Sequence, residues 1–404
     1  MMYEAYQAHA DLMWPLRTMS RLSVPMLQER RGLASWPPSR QAAAACKLLA
    51  LGAVTHARPP WRIDAVEAHG RQWPVVEQPV LTTPFATLLR FAKPGAPAQP
   101  KVLVVAPMSG HFATLLRDTV RTLLQDHDVY VTDWHNVRDV PLSAGRFGLD
   151  EYTEHLIDFI AALGPGANVL AVCQPCVSAL AAVSLMSEDR HPATPASLIL
   201  MAGPIDCRIS PTAVNELAVS KPIEWFEKHL ISTVPWRHRG GGRRVYPGFV
   251  QLSAFISMNR ERHVNAFKEY YRHLVDDEFD KAEVTRTFYE EYMAVADLSA
   301  DFYLETVRLV FQQHALPRGE LMFRGRKVDP AAIRRTALLT VEGERDDICA
   351  VGQTLAAQDL ACNVRSYMRR HYVQPNVGHY GVFSGRRWQN QIYPLLRDVI
   401  EVSR

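Results

Sequence analysis

The chain has 404 residues, 48% of them hydrophobic, with 45 basic and 42 acidic side chains and a formal net charge of +3. So even a balance excludes a nucleic-acid binder that works by charge, and the length allows two or three structural units around a large core. The six cysteines, at 46, 173, 176, 207, 349 and 362, are too sparse for a disulfide scaffold and suit a reducing compartment, and no Cys/His group has zinc-site spacing.

The first stretch, "MMYEAYQAHADLMWPLRTMSRL", carries Glu4 and Asp11 where a signal peptide would be basic, and it lacks an unbroken apolar segment. No run of 18 apolar residues occurs, so the expectation is a soluble, cytoplasmic protein without a transmembrane segment. Leu12, Leu16 and Met19 recur at helical spacing, and "QAAAACKLLALGAV" favours helix strongly. Residues 1–60 therefore read as a helical leader, interrupted at "WPPSR". It either covers an edge of the core or docks on an apolar surface.

From Trp61 the period changes to short strands divided by turns, and "KPGAPAQP" is a loop. "KVLVVAP", "DVYVTDW", "NVLAV" and "ASLILMAG" are apolar runs of the kind buried on both faces of a sheet. They alternate with the helical segments "HFATLLRDTVRTLLQDH", "LDEYTEHLIDFIAALG" and the Ala-rich stretch after Cys173, which predicts a parallel sheet. The rhythm stops after Pro211. Residues 212–324 are aromatic and helical in period, with no buried-strand run, and read as a helical cap over the strand ends. Strand patterns return in 325–404 with "TALLTVEG" and "RSYMRRHYV", before a last helix. The expected units are thus 1–60, a core at 61–211, the cap at 212–324, and the rest of the core at 325–404.

Cys173 stands where "NVLAV" meets a helix, in "VCQPC". One reading is a C-x-P-C redox pair with Cys176, but such a pair belongs near the start of a small domain. The other is a nucleophile elbow, with Cys173 on a strained strand–helix turn and small residues two positions away on each side. Ala171 fits. Pro175 replaces the usual Gly but can open a helix. The helix N-terminus favours a thiolate at Cys173, whereas an ordinary isolated cysteine is buried and inert.

A nucleophile needs a base and an orienting acid, in hydrolases of this kind in the order nucleophile, acid, histidine. Asp346 and Asp347 lie in the turn after "TALLTVEG", and His379 lies in the Gly-flanked loop of "NVGHYGVFSG". His371 competes but falls inside a strand run, and an Asp pair in a turn is also ordinary turn chemistry. The backbone N–H of Gln174, with that of Met108 or Ser109, would form the oxyanion hole, since Pro107 has no N–H. His111 either contacts substrate or caps the next helix. In the cap, Trp225, Phe226, Tyr246, Phe249 and Tyr303 are candidates to line the substrate path, although aromatics in a helical layer are mostly core. "WRHRGGGRR", residues 236–244, is a mobile loop, a hinge for substrate access or, less simply, a phosphate grip.

Taken together, "VLVVAPMSGHFATLLRDTVRTLL", "VCQPCVSALAAVSLM", "GPIDCRISPTAVNELA", "GRRVYPGFVQ", "TALLTVEGERDDI" and "GHYGVFSGRRW" resemble the intracellular polyhydroxybutyrate depolymerases over nearly the whole chain. The resemblance implies an α/β-hydrolase fold, a mostly parallel sheet flanked by helices, with a helical cap insertion and a helical N-terminal leader. It implies a Cys-Asp-His triad of Cys173, Asp346 and His379, and cleavage of stored poly(3-hydroxybutyrate) at a granule surface. Relatives carry Thr in place of Cys176, which makes Cys176 a bystander. The secreted depolymerases, with their signal peptide, serine nucleophile and polymer-binding domain, look different. No cofactor is implied, though a thioester intermediate would accept coenzyme A thiol in place of water. Two alternatives remain open: a polyhydroxyalkanoate synthase, whose elbow has Gly where this chain has Pro175, and a non-catalytic granule-associated protein.

Overall fold

Apolar β-branched runs build the centre of the molecule. The computed structural model describes residues 2–29, 37–68, 70–258 and 260–403. Eight strands form the main sheet: β1 Val76–Thr82, β2 Ala86–Ala92, β3 Lys101–Val105, β4 Asp128–Trp134, β5 Asn168–Val172, β6 Ser197–Met201, β7 Ala337–Gly343 and β8 Arg369–Gln374. Their order across the sheet is β8-β7-β6-β5-β3-β4-β2-β1. From β8 to β4 every pair is parallel, while β1 and β2 run antiparallel. Every residue of β5, β6 and β7 is buried, which is why their sequences show no polar alternation. The two edges are blunted. Pro79 and a register shift interrupt the exposed β1, and Arg369, Arg370 and His371 sit on β8.

Helices α3 Arg117–Leu123, α4 Leu149–Leu163 and α5 Cys176–Glu188 connect the parallel strands. The strand order and these crossovers are those of the α/β-hydrolase fold. Preceding them, the leader forms α1 Met2–Glu29 and α2 Pro37–Leu51. Of the expected break at "WPPSR", Trp36 lies outside the described residues, whereas Pro37, Pro38 and Ser39 open α2, where a proline's missing N–H costs nothing.

The leader packs on the cap more than on an edge of the sheet. Ala44 and Leu51 of α2 share a second apolar core with Leu252, Tyr270, Leu274 and Tyr292. Tyr3 of α1 is buried, donates its hydroxyl to Asp297 Oδ2 at 2.6 Å, and stands beside Tyr6, whose ring stacks on Phe249 at 3.8 Å.

Residues 212–324 hold α6 Ala213–Val219, α7 Ile223–Leu230, α8 Gly248–Met258, α9 Arg260–Val275, α10 Phe279–Tyr292 and α11 Ala300–Glu305, which continues as a π-helix through Gln312. They also hold a small antiparallel sheet of Ser232–Thr233, Arg244–Tyr246 and Leu298–Ser299. Strands of two and three residues leave no periodic signal, so the sequence showed none. A hairpin of Met322–Phe323 and Arg326–Lys327 straddles the expected boundary at 324. Among the described residues, no helix is long and apolar enough to cross a membrane.

Candidate active site

Cys173 follows β5 directly and has φ 67°, in the left-handed region that a side-chain-bearing residue avoids unless its surroundings impose it. Its N–H donates to Met201 O at 2.8 Å, and its carbonyl accepts from Cys176 N–H at 3.1 Å. Those two bonds hold the turn between strand and helix. Pro175, at φ −61°, leads straight into α5, whose N-terminal end therefore points its partial positive charge at the Cys173 thiol.

The space this turn needs comes from elsewhere in the chain. Gly203, just past β6, lies so close that a Cβ there would fall 2.2 Å from Cys176 Cβ and 3.1 Å from Cys173 O. Gly203→Ala is therefore expected to overpack the elbow and cost about 3 kcal/mol, seen as a lower melting temperature. An unchanged melting temperature would show that the turn can yield.

Cys176 points inward, its Sγ 3.4 Å from Ala171 O and 3.7 Å from Met201 O. Burial, reinforced by Cys173, pushes its thiol well above the usual range. It is a filler of the core, and the two sulfurs form no disulfide.

Asp346 sits in the turn after β7. Its Oδ1 accepts from the N–H groups of Ile348 at 2.9 Å and Cys349 at 2.8 Å, which leaves Oδ2 for His379 Nδ1 at 2.7 Å. His379 opens a short 3-10 turn after β8 and is 6% exposed. Burial by itself would push the imidazole down, but the charges of Cys173 and Asp346, with the hydrogen bond to Asp346, hold it well above the usual histidine value. With Nδ1 bonded to Asp346, Nε2 is the nitrogen left for the thiol. Asp347, by contrast, is exposed and makes no hydrogen bond to His379. His371 stays in β8, bonded to Thr340 Oγ1 at 2.9 Å.

The loops bearing Asp346 and His379 brace each other and the elbow. Arg345 N–H donates to Val377 O, and Glu344 N–H to Gln374 O. Thr354 Oγ1 both donates to Gly203 O at 3.0 Å and accepts from Gly203 N–H at 2.8 Å. Buried Glu342 accepts the N–H groups of Gly352, Thr354 and Leu355. Nothing in the sequence singled out Thr354 or Glu342.

Among the described residues, the N–H groups of Gln174, Met108 and Ser109 have no protein acceptor. The loop holding Met108 and Ser109 is fixed to the cap. Gly110 O accepts from Ala296 N–H at 2.9 Å, and Gly110, at φ 90°, lets Gln251 of α8 approach closely. His111 does not cap the next helix. Its ring pairs with Tyr292 O at 3.2 Å, and burial lowers its pKa to about 4, so it stays neutral.

A small cavity of about 170 Å³ adjoins His379, lined among others by Phe255, Arg262, Tyr292, Asp347 and Tyr380. None of the expected path residues lines it. Tyr246 stacks on Tyr303 at 3.9 Å in the interior, Phe226 is buried behind Trp225, Trp225 stacks on His229 at 4.6 Å, and Phe249 receives α1. His111 reaches the cavity only through its contacts with Phe255 and Tyr292.

The glycine-rich stretch is no hinge for substrate access. Buried Arg243 donates to Val140 O, Gly145 O and Pro141 O, Gly240 N–H donates to Arg138 O at 2.9 Å, and no residue of the stretch lines the cavity. An arginine spent on three carbonyls is pinned in place and has little left to offer a phosphate.

The sheet order and its elbow define an α/β-hydrolase. Residues 202–404 match the family model described as PHB de-polymerase C-terminus, and the chain belongs to that family, as an ester hydrolase. No curated protein matches the chain. Solved structures similar to it include a putative lipase (lip1) from Acinetobacter baumannii AYE, 15% identical, covering 82% of this chain and 93% of that one, with a TM-score of 0.44. The 2-hydroxy-6-oxo-6-phenylhexa-2,4-dienoate hydrolase of Rhodococcus sp. strain RHA1 is 13% identical over 81% of this chain and 99% of its own, at 0.44. A thioesterase domain from the curacin biosynthetic pathway is 12% identical over 81% and 99%, at 0.43.

Proposed function

We propose that the protein is an intracellular depolymerase that cleaves the ester bonds of stored poly(3-hydroxybutyrate) through Cys173, His379 and Asp346. The observation that carries this reading is the hydrogen bond between His379 Nδ1 and Asp346, within reach of the charge of Cys173 on its strained turn. The Cys173 sulfur attacks the ester carbonyl carbon, and the N–H groups of Gln174 and of Met108 or Ser109 hold the oxyanion. The carbon–oxygen bond to the alcohol fragment then breaks, and His379 gives that oxygen its proton. Water attacks the resulting thioester, passes a proton to His379, and releases Cys173. A thiol such as coenzyme A can replace water at this step, since thioester exchange is close to energetically even. Phe255, Tyr292 and Tyr380 give the cavity an aromatic wall that suits an uncharged polyester.

Docking on the polymer surface falls to α1. Leu12, Leu16, Met19 and Met26 form one exposed row along it, with Met19 66% exposed. Trp236, 82% exposed, adjoins that helix, because its neighbour Arg237 pairs with Asp11 at 2.7 Å.

The test is incubation of the pure protein with amorphous poly(3-hydroxybutyrate) granules, with and without coenzyme A. Release of 3-hydroxybutyrate or its oligomers is expected in water alone, and acyl-coenzyme A would reveal thiolysis. No product under either condition would reject the reading. In the same assay, Leu16→Asp with Met19→Asp is expected to weaken granule binding about tenfold or more, and to slow granule breakdown more than cleavage of a soluble ester. Equal slowing of both would remove α1 from docking.

A further inference from the structure

Arg262 and Asp347 are charged side chains of the cavity that the proposed ester cleavage does not use, and Arg262, itself exposed, is the cationic one. It stands in the first turn of α9, where the helix dipole disfavours a cation. Among the described residues it makes no recorded hydrogen bond or ion pair, although Asp347 lines the same cavity. Cys173, Arg262 and Asp347 each act electrostatically on the Tyr380 hydroxyl, and Tyr380 lines the same cavity as Arg262 and His379. An unpaired arginine in an aromatic cavity beside the proton donor has an anionic ligand as its natural complement.

The chemistry of the substrate says which anion. His379 protonates the oxygen of the departing alcohol, so the cavity beyond the imidazole receives the alcohol fragment. In a polyester of hydroxy acids, the alcohol fragment is the one that carries the chain's carboxyl end. Resting on the depolymerase reading, we propose that Arg262 binds the terminal carboxylate of the leaving fragment, so that the enzyme cuts preferentially near the carboxyl end of a chain or oligomer. Asp347, exposed on the same wall, opposes a second negative charge and limits the subsite to a single carboxylate.

The probe is the linear trimer of 3-hydroxybutyrate as free acid and as its methyl ester, with cleavage of the internal esters followed by mass spectrometry. The native enzyme is expected to prefer the acid in kcat/KM. In Arg262→Gln that preference should fall about ten- to a hundredfold, chiefly through KM, and Arg262→Lys should keep part of it. A native enzyme with no preference, or a preference intact in Arg262→Gln at an unchanged melting temperature, overturns the subsite and leaves the depolymerase reading standing. Failure of the native enzyme to cleave either trimer or granules overturns both.

Discussion

Cys173→Ala is expected to abolish ester cleavage, with a loss of about 10⁴-fold or more in kcat/KM, while Cys176→Ala keeps most of the rate. The two sulfurs are three positions apart and differ in everything that matters for attack. Cys173 is half-buried on a strained turn, and its charge helps hold the pKa of His379 high. Cys176 is fully buried, packed against Gly203 and pushed away from ionisation. A cysteine attacks as its thiolate, so only the first can do so. Steady-state rates on a soluble 3-hydroxybutyrate ester would measure this, and trapping of an acyl-enzyme would locate the thioester. Equal loss in the two variants, together with a 173–176 disulfide, would instead establish the redox pair.

Asp346→Asn should cost about 10³- to 10⁴-fold, and Asp347→Asn far less. Only Asp346 meets His379, and its other oxygen is locked by two backbone N–H groups, so its place cannot be taken by rotation of a neighbour. Without its charge, burial dominates the imidazole and its pKa falls. The amide also offers an N–H where Nδ1–H needs an acceptor, so the ring is driven toward the wrong tautomer. A pH–rate profile of Asp346→Asn separates these effects from mere unfolding. If Asp347→Asn proved the more damaging variant, the assignment of the acid would be reversed.

The scaffold was legible because its signals are local. β3, β5, β6 and β7 are apolar runs that only a sheet covered on both faces demands, and Cys173, Asp346 and His379 each stand directly after such a run or its neighbour. What failed was everything fixed by the register of the cap. Whether Phe249 or Tyr292 faces the cavity depends on how α8, α9 and α10 rotate against the sheet, and helical periodicity gives a face without naming its partner. The stretch "RHRGGGRR" looked mobile because glycine permits movement. It is held by Arg243, whose acceptors are carbonyls about 100 positions earlier and invisible in a pattern of side chains.

The elbow extends that lesson to its own geometry. Its usual second glycine, replaced here by Pro175, has a counterpart in Gly203 at the end of the adjacent strand. Residues 176 and 203 thus share one fixed volume, and enlarging either requires the other to shrink. The pair forms a discontinuous signature: a stretch of chain around Cys173 alone holds half of the instruction for making the turn, and β6 must be in register before the other half can act. The shape of the turn at Cys173 thus depends on the pairing of β5 with β6 in this register, since only that register sets Gly203 against Cys176.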